Sequence, residues 1–344
     1  MLFKSVSVLN ISFLTFCLSI HPVLAEGVGK TGQLVSRERA LMGTQVIVKV
    51  FGTDAERIDE AIEAAFAEVV RLEQFMSSFI PESELSKINR YAGEAPVTVS
   101  RELFELIRNS ISFSERTAGA FDISFASVGK LWSFRRRIVP SAEAVAARLP
   151  FVDYRNIRLD ARRSAVFLPH GSMEIGLGGI GKGYAMDRAI RVLEDFGIKN
   201  AVVMAGGDML IRGKKGDTPW RVGLRNPNHQ NEILAVLPLE NQAISTSGDY
   251  ERFFIKDGIR YHHILDTRTG FPADQSRSVS ILAQDATTSD ALSTSVFVLG
   301  PQKGMALIEA LEGVEGIIIG PRGKVHLSSG LRTIDSKPAA AATQ

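Results

Sequence analysis

Apolar residues first alternate with polar ones and then recur at helical spacing. Thr44–Phe51 carries a valine at every second position, which predicts a strand with one buried face. From Ile58 to Leu72 apolar residues return every three or four positions, after a candidate N-cap at Thr53 or Asp54. This spacing predicts a long amphipathic helix that continues to Phe79–Ile80 and is stopped by Pro81.

The rest of the chain mixes helical and strand patterns. Helices are predicted at Arg101–Thr117, Ala142–Leu149, Ile180–Phe196, Thr288–Leu299 and Gln302–Leu311. Strands are predicted at Ser172–Leu177, Ala201–Met204, Met209–Arg212, Arg221–Leu224, Ile233–Pro238, Ala243–Ser245, Arg252–Lys256, His262–Asp266, Ser278–Ala283 and Gly316–Ile319, with a hairpin at Asn156–Leu168. This order predicts an α+β fold, in which one domain (residues 26–335) contains mixed, mostly antiparallel sheets flanked by helices. Residues 336–344 are predicted to be a disordered tail.

Residues 1–25 have a different pattern from the rest. Lys4 is the only charged residue before an apolar stretch, and Val23-Leu24-Ala25 follows as a small-residue cleavage site. The pattern predicts a signal peptide cut after Ala25 and a periplasmic protein. A retained membrane anchor is the alternative, although the stretch is short for a spanning helix. Cys17, the only cysteine, raises lipid modification as a third reading, but the bulky Phe16 precedes it.

Composition narrows the function classes. The 344 residues include 40 basic and 38 acidic ones, for a net charge of +2. Nucleic-acid binding requires a clear basic excess, so this balance argues against it. After cleavage at Ala25 the chain has no cysteine, which excludes disulfides and thiolate metal sites.

The densest glycine cluster is Gly176–Gly183. Read as G-x-x-x-x-G-K it lacks the Ser or Thr of a P-loop, because Gly183 stands there. Read as G-x-G-x-x-G it lies in mid-chain rather than at the first strand of a βαβ unit. Both patterns share a glycine loop that opens a helix, whose N–H groups and Lys182 favour a phosphate. A tight structural turn remains the alternative.

Two smaller motifs leave their roles open. Gly206-Gly207-Asp208 follows a β-branched strand, where glycines allow a close approach by a ligand or only form a turn. Ser245–Gly248 is a hydroxyl-rich run that fits either a phosphate or a turn.

The C-terminal half places ionisable groups close together. His263, Asp266 and Arg268 fall within one short segment, and the predicted strand puts His263 and Leu265 on one face. A general base with a phosphate-holding arginine fits this group, and a structural histidine is the alternative. On the predicted helix Asp290 and Thr294 are four residues apart, so their oxygens share a face and suit Mg²⁺. Capping of that helix by Asp285 is the competing interpretation.

Together these segments resemble the FAD:protein FMN transferases, or ApbE family, from Met42 to about Gly300. The matching segments are Met42–Thr44, Met76–Phe79 with Ser83–Leu85, Gly119–Asp122 with Leu131-Trp132, Gly178–Asp187, Gly206–Asp208, Ser245–Gly248, His263–Gly270 and Asp290–Thr294. Their common order along the chain is far more specific than any one of them.

The resemblance implies a set of roles. FAD would be contacted by Met42, Phe79 (through stacking), Ala120, Phe121, Asp122, Lys182 and Ile264. Mg²⁺ would be held by the carbonyl of Gly179 and the side chains of Asp290 and Thr294. His263 and Asp290 would be the catalytic residues. The implied reaction moves FMN from FAD to a threonine of an acceptor flavoprotein and releases AMP, and the acceptor is what would bring this chain near a membrane.

The resemblance leaves two other activities open. Water could replace the acceptor, which would make the chain an FAD pyrophosphatase, or the chain could bind FAD without turnover. The chain also departs from the family pattern at three positions. Gly176 replaces an aspartate, which puts one flavin contact in question. Gly181 replaces an alanine, and Thr267 replaces a proline, from which we expect a looser turn after His263.

Overall fold

A computed structural model describes residues 32–227 and 232–332. The predicted signal segment 1–25, with Cys17, and the predicted tail 336–344 lie outside these residues. Within them the helices are α1 Ala55–Met76, α2 Glu84–Arg90, α3 Arg101–Arg116, α4 Ala126–Gly129, α5 Ala142–Arg148, α6 Gly181–Asp195 and α7 Ala286–Glu309. The strands are β1 Gln33–Leu41, β2 Thr44–Gly52, β3 Val97–Thr98, β4 Arg158–Asp160, β5 Ala165–Phe167, β6 Ala201–Ala205, β7 Asp208–Arg212, β8 Trp220–Arg225, β9 Ile233–Leu239, β10 Ala243–Gly248, β11 Phe253–Lys256, β12 Ile259–His262, β13 Ser278–Ala283, β14 Glu315–Ile319 and β15 Val325–Leu327.

Eight of these strands form one sheet in the order β1-β2-β6-β7-β10-β13-β14-β15. Every neighbouring pair in it is antiparallel. A small antiparallel sheet pairs β3, β5 and β4, while β8–β9 and β11–β12 form separate hairpins. The predicted α+β class is confirmed.

The main sheet is buried on both faces by different elements. In β6, Ala201, Val203 and Ala205 belong to the larger core, which the helices α1, α6 and α7 complete. Val202 points the other way and joins a second cluster with Trp220 and neighbouring residues of the β8–β9 hairpin. This alternation follows from the two-residue period of a strand.

Helix α1 is shorter than predicted, and the helix after it was not predicted. The helix ends at Met76, because the C-cap Ser77 is extended, with ψ 123°. The Ser77 hydroxyl accepts a hydrogen bond from the Phe79 N–H at 3.2 Å, and the Ser83 hydroxyl donates to the Ser77 carbonyl at 2.7 Å. Such side-chain bonds to the backbone compete with helix continuation. Ser83 then caps α2 by accepting from the Ser86 N–H at 2.9 Å.

The predicted strand at Ser172–Leu177 is wrong. The segment is irregular, because its backbone groups bond to side chains and loops instead of a neighbouring strand. Asn89 accepts from the Ile175 N–H at 2.8 Å and donates to the Ile175 carbonyl at 2.9 Å, and the Gly176 N–H donates to the Ile123 carbonyl at 2.8 Å. A P-loop or a dinucleotide fingerprint requires a strand directly before its glycine loop. No strand precedes this glycine loop, so it does not meet that requirement.

The predicted strand at His262–Asp266 is also wrong, since only His262 belongs to β12. After it the chain folds back on itself, with the Ala273 N–H bonded to the Ile264 carbonyl at 3.0 Å. The predicted shared face of His263 and Leu265 is lost, because His263 is exposed and Leu265 is buried.

The two helices predicted at the C-terminal end form a single element, α7, with an interruption. Gly300 has a φ of 75° and precedes Pro301, which breaks the helical geometry where the prediction left a gap. Among the residues described, no helix combines the length and apolar character that crossing a membrane requires.

Candidate functional site

Helices α6 and α7 meet at a glycine. A Cβ built on Gly183 would lie 2.2 Å from the carbonyl oxygen of Ala286 and 2.9 Å from the Cβ of Asp290, so this approach requires a glycine. One turn later on α6, Asp187 accepts hydrogen bonds from the N–H of Ala286 at 2.8 Å and from the N–H of Thr287 at 2.9 Å. A carboxylate of α6 thus holds the start of α7, where a helix favours negative charge. We call Lys182, Gly183, Asp187, Ala286 and Asp290 the α6–α7 seam.

Lys182 is the central cation of this seam. Its ammonium group is ion-paired with Asp208 and lies 2.9 Å from Oδ1 of Asp290. The other oxygen of Asp290 accepts from the Gly183 N–H at 2.9 Å, and Asp208 accepts from the Thr246 N–H at 3.0 Å. Helix α6 has no side-chain N-cap. The anion at the start of α6 is therefore the carboxylate of Asp290.

The charges of the seam shift one another's protonation. Burial alone would lower the pKa of Lys182, but the carboxylates of Asp208 and Asp290 outweigh it and raise that pKa above its ordinary value. Burial raises the pKa of Asp208, and the nearby ammonium only partly offsets this. Lys182 therefore stays positively charged at neutral pH.

Gly179 and Thr294 face each other across the glycine loop. A Cβ on Gly179 would lie 3.5 Å from Oγ1 of Thr294 and 3.2 Å from the ring of Phe121. Thr294 lies one turn after Asp290 on α7. Tertiary packing thus brings the three predicted metal ligands close to Phe121, a predicted FAD contact.

The donor set fits a hard divalent cation that takes most of its ligands from substrate and water. Asp290 is buried, while the Thr294 hydroxyl has no hydrogen-bonding partner among residues 32–227 and 232–332. In the same residues no three His, Cys, Asp or Glu side chains are grouped closely enough to hold a metal alone. One carboxylate, one hydroxyl and one carbonyl match a Mg²⁺ site completed by phosphate oxygens.

Asp122 shapes the wall of the site through hydrogen bonds that its carboxylate accepts. Its carboxylate accepts from the Ser124 N–H at 2.8 Å, from the Ser124 hydroxyl at 2.6 Å and from the Tyr154 N–H at 2.9 Å. Burial raises the pKa of this carboxyl group, while these hydrogen bonds act in the opposite direction. Ala120 and Phe121, which precede it, are buried.

The turn after His263 is tied to this wall. Arg268 holds Asp266 through two contacts of 2.9 and 2.6 Å. Thr267 donates its hydroxyl hydrogen to the Gly119 carbonyl at 2.7 Å. A proline could not make this bond, so the expected loosening of the turn is offset by a link to Gly119. Ile264, at the start of the turn, is buried.

The two adjacent histidines have separate environments. His262 is buried, with Nε2 2.9 Å from the Ala273 carbonyl. His263 is exposed on one side, while Nδ1 lies 3.3 Å from the Arg252 carbonyl and the ring meets Phe134 edge-on at 6.4 Å between centroids. Desolvation by these neighbours and the positive charge of Arg252 lower the pKa of His263 to about 4, although the hydrogen bond to the Arg252 carbonyl acts in the opposite direction. The imidazole is therefore neutral at neutral pH and able to accept a proton.

Met42 lies on the rim of the site, and Phe79 is a predicted FAD contact on the surface. Met42 is in the β1–β2 turn with a φ of 53°, and its N–H donates to Glu73 at 3.0 Å. It lines an open cavity of about 590 Å³. Phe79 is 94% exposed, which leaves both ring faces free for stacking. Arg252 connects the rim to the histidine turn, since it donates to the Gly43 carbonyl at 3.2 Å.

The hydroxyl run Ser245–Gly248 lies in strand β10 and does not form a turn. Ser245 bonds to Ser289 at 2.8 Å, and Ser247 bonds to Ser293 at 2.9 Å, so these side chains fasten β10 to α7. Gly206 and Gly207 form the β6–β7 turn with positive φ values of 61° and 100°. Because Asp208 directly follows this turn, the glycines position a carboxylate of the site.

The structure thus brings Gly179, Lys182, Asp290, Thr294 and Phe121 into one cluster, and contacts through Gly119 and Gly43 connect it to the histidine turn and to Met42. Phe79 makes no such contact, although Met76, three residues earlier, lies against Gly181. Sequence reasoning did not assign Asp208 or Asp187 to the site. Asp208 could have been found as the carboxylate that directly follows Gly206 and Gly207. Asp187 is the last residue of the segment Gly178–Asp187, which resembles the family, but it was given no role.

Comparison with known proteins identifies the family of this chain. The model of the ApbE family matches residues 42–318. The FAD:protein FMN transferase of Treponema pallidum (strain Nichols) is 35% identical over 339 residues, which cover 90% of this chain and 94% of that protein.

Solved structures show the same fold. The ApbE protein from Thermotoga maritima superimposes with a TM-score of 0.80 at 34% identity, covering 87% of this chain and 98% of that chain. The flavin transferase ApbE from Vibrio cholerae gives a TM-score of 0.77 at 27% identity, covering 88% of this chain and 99% of that chain.

Proposed function

The chain belongs to the ApbE family, and from this premise we propose that it is an FAD:protein FMN transferase that moves FMN from FAD to a threonine of an acceptor flavoprotein. The observation that carries the proposal is the junction of Gly179 and Lys182 with Asp290 and Thr294. It provides cation ligands, a fixed positive charge and a glycine loop in one place, as binding of a pyrophosphate requires.

FAD binding divides between two parts of the site. Lys182 remains charged and lies at the glycine loop, where it attracts the phosphates. Phe79 offers an exposed ring for stacking on an aromatic nucleotide group. Met42, Ala120, Phe121, Asp122 and Ile264 contribute the surrounding walls.

Gly179, Asp290 and Thr294 are the residues that would hold Mg²⁺, which neutralises charge on the pyrophosphate when it is bound. Lys182 keeps its second partner, Asp208, and so is not left unpaired if Asp290 binds the cation. The cluster therefore accommodates the ion without burying an isolated charge.

The chemical step is a displacement at phosphorus. The threonine oxygen of the acceptor attacks the FMN-side phosphorus of FAD, a new P–O bond forms, and the bond to the AMP oxygen breaks. His263 accepts the threonine proton, for which its neutral imidazole and exposed position are suited. AMP leaves and FMN remains attached to the acceptor through a phosphoester bond.

The decisive experiment incubates the purified protein with FAD, Mg²⁺ and candidate acceptor domains. Mass spectrometry of the acceptor and chromatography of AMP are the two measurements. Transfer gives an acceptor heavier by one FMN residue and an equal amount of AMP. AMP and free FMN without a modified acceptor would identify a pyrophosphatase instead, and a stable FAD complex without AMP would identify a binding protein.

We also propose that the protein acts in the periplasm. The support is the pattern of residues 1–25, with its apolar stretch and small-residue site at Ala25. Cell fractionation and N-terminal mass analysis test this proposal. A mature chain that begins at Glu26 in the periplasmic fraction is expected, and an uncleaved or lipid-modified N-terminus would contradict it.

A further inference from the structure

A loop beside His263 carries three consecutive arginines. Ser133 and Ile138 form an isolated β-bridge, which closes a turn with Arg135, Arg136 and Arg137 at its end. The Arg136 N–H donates to the Ser133 hydroxyl at 3.3 Å. We call Arg135–Arg137 the arginine tip.

The base of this loop belongs to the wall of the site. Trp132 stacks on Phe134 at 5.9 Å between centroids and donates from its indole N–H to the Gly270 carbonyl at 3.0 Å. Phe134 in turn contacts the rings of Phe254 at 6.0 Å and His263 at 6.4 Å. The arginine tip begins directly after Phe134, whose ring contacts His263. Consecutive Cα atoms are about 3.8 Å apart, so the tip starts close to His263.

The guanidinium groups of the tip have no internal partner. All three residues are exposed, and within residues 32–227 and 232–332 no ion pair or side-chain hydrogen bond engages them. Three other exposed arginines, Arg37, Arg71 and Arg155, are each paired with a carboxylate at 2.8 Å or less. Across His263, Arg252 adds a further cation, which donates to the Gly43 carbonyl and has no ion pair in the part of the chain that the structure describes. The three tip arginines and Arg252 therefore place positive charge beside His263 that no ion pair within residues 32–227 and 232–332 neutralises.

We propose that the arginine tip, assisted by Arg252, binds acidic side chains that flank the acceptor threonine. This inference rests on the proposed function and names the chemistry of the partner. The hydroxyl must approach from the His263 side, and the tip lies on that rim. The FAD phosphates have their own cation, Lys182, at the glycine loop. Charges at the edge of an interface mainly raise the association rate and select partners, and salt weakens their effect.

The test compares a charge reversal at the three tip arginines with one at two arginines elsewhere on the surface. One variant combines Arg135→Glu, Arg136→Glu and Arg137→Glu. The control combines Arg162→Glu and Arg163→Glu, which are also consecutive and exposed but lie in the β4–β5 turn of the separate small sheet. A milder variant with glutamine at the three tip positions removes the charge without reversing it, which guards against a folding defect.

The probe is the acceptor domain that the mass-shift assay identifies, both unaltered and with the acidic residues beside its threonine changed to amides. At low salt we expect kcat/KM for transfer to fall at least about tenfold in the triple-glutamate variant and less in the glutamine variant. The loss should shrink as salt is raised. Affinity for FAD, AMP release without acceptor, and all values for the control should change by less than about twofold. The amide acceptor should lose rate with the unaltered enzyme and lose little more with the variant.

Three results would overturn the inference. Unchanged kcat/KM for the acceptor would show that the tip does not contact it. An equal loss of FAD affinity would assign the tip to FAD. Loss of binding to anionic lipid vesicles without any loss of transfer would assign it to a membrane surface. If the unaltered protein cleaves FAD but modifies no acceptor, the proposed function fails as well, whereas normal transfer by both tip variants removes this inference alone.

Discussion

The α6–α7 seam and the rim around His263 use charge in opposite ways. In the seam, Lys182 and Asp290 are largely buried together with Asp208 of the adjacent strand β7, and each of the three has a charged or hydrogen-bonding partner. On the rim, the arginine tip is exposed, its guanidinium groups form no ion pair among the described residues, and aromatic rings pack at the base of its loop. Buried charges require fixed partners because their desolvation is costly, while exposed ones remain free to meet another molecule.

This difference corresponds to the two molecules of the proposed reaction. A pyrophosphate and a cation need ligands held in place before they arrive, which the seam provides. An acceptor protein brings its own surface, and an open charged rim can adapt to it. The following changes test how far the two regions are separate.

The largest expected effect is on chemistry, from Asp290→Asn. The amide keeps the shape of the side chain but removes the only carboxylate of the proposed Mg²⁺ ligands, and Lys182 keeps Asp208 as a partner. We expect Mg²⁺-dependent AMP release to fall by at least about a hundredfold. The matched control is Asp285→Asn on the same helix, where asparagine also caps well. Retention of more than about half of the activity by Asp290→Asn would refute the metal site.

The packing of the seam is tested by Gly183→Ala. The new Cβ would meet the Ala286 carbonyl oxygen at 2.2 Å, so we expect a loss of about 2 kcal/mol or more in the free energy of unfolding. Gly178→Ala is the control, because no atom lies within 4 Å of the place that its new methyl group would occupy. Urea denaturation of both variants measures the difference. Equal stability of the two would show that the helices can separate without cost.

A smaller effect is expected where the histidine turn joins the wall of the site. Thr267→Val removes the hydroxyl that donates to the Gly119 carbonyl, and we expect a loss of about 1 kcal/mol in unfolding free energy. The KM for FAD should rise, because Gly119 precedes the predicted contacts Ala120–Asp122. Thr267→Ser retains the hydroxyl and should behave like the unaltered chain. If valine and serine act alike, the bond does not support the site.

The smallest expected effect concerns the protonation of His263. Because the pKa of His263 is lowered, its ring should remain neutral at pH values where an ordinary histidine, with a pKa of about 6.5, takes up a proton. The unfolded chain binds that proton first, so this group reduces stability as the pH falls through about 6.5. NMR titration, with the signal assigned through His263→Gln, measures the midpoint. A midpoint at or above that of a free histidine would remove this argument for a neutral base.

Local patterns were sufficient for most of the framework. Val46, Val48 and Val50 identified β2, and the apolar spacing of Ser278–Ala283 and Arg101–Thr117 located β13 and α3 closely. These elements follow from the periods of strands and helices, which any short window of sequence contains. The same short-range reasoning placed Asp290 and Thr294 on one helix face.

Tertiary structure decided the rest, because the decisive contacts join distant residues. Asn89 satisfies the backbone of Ile175 and so prevents a strand there, and the chain after His262 folds back instead of extending. Lys182 lies between Asp208 and Asp290, which are 26 and 108 residues away. A local pattern identifies which groups are available, but only packing determines which buried charges become partners.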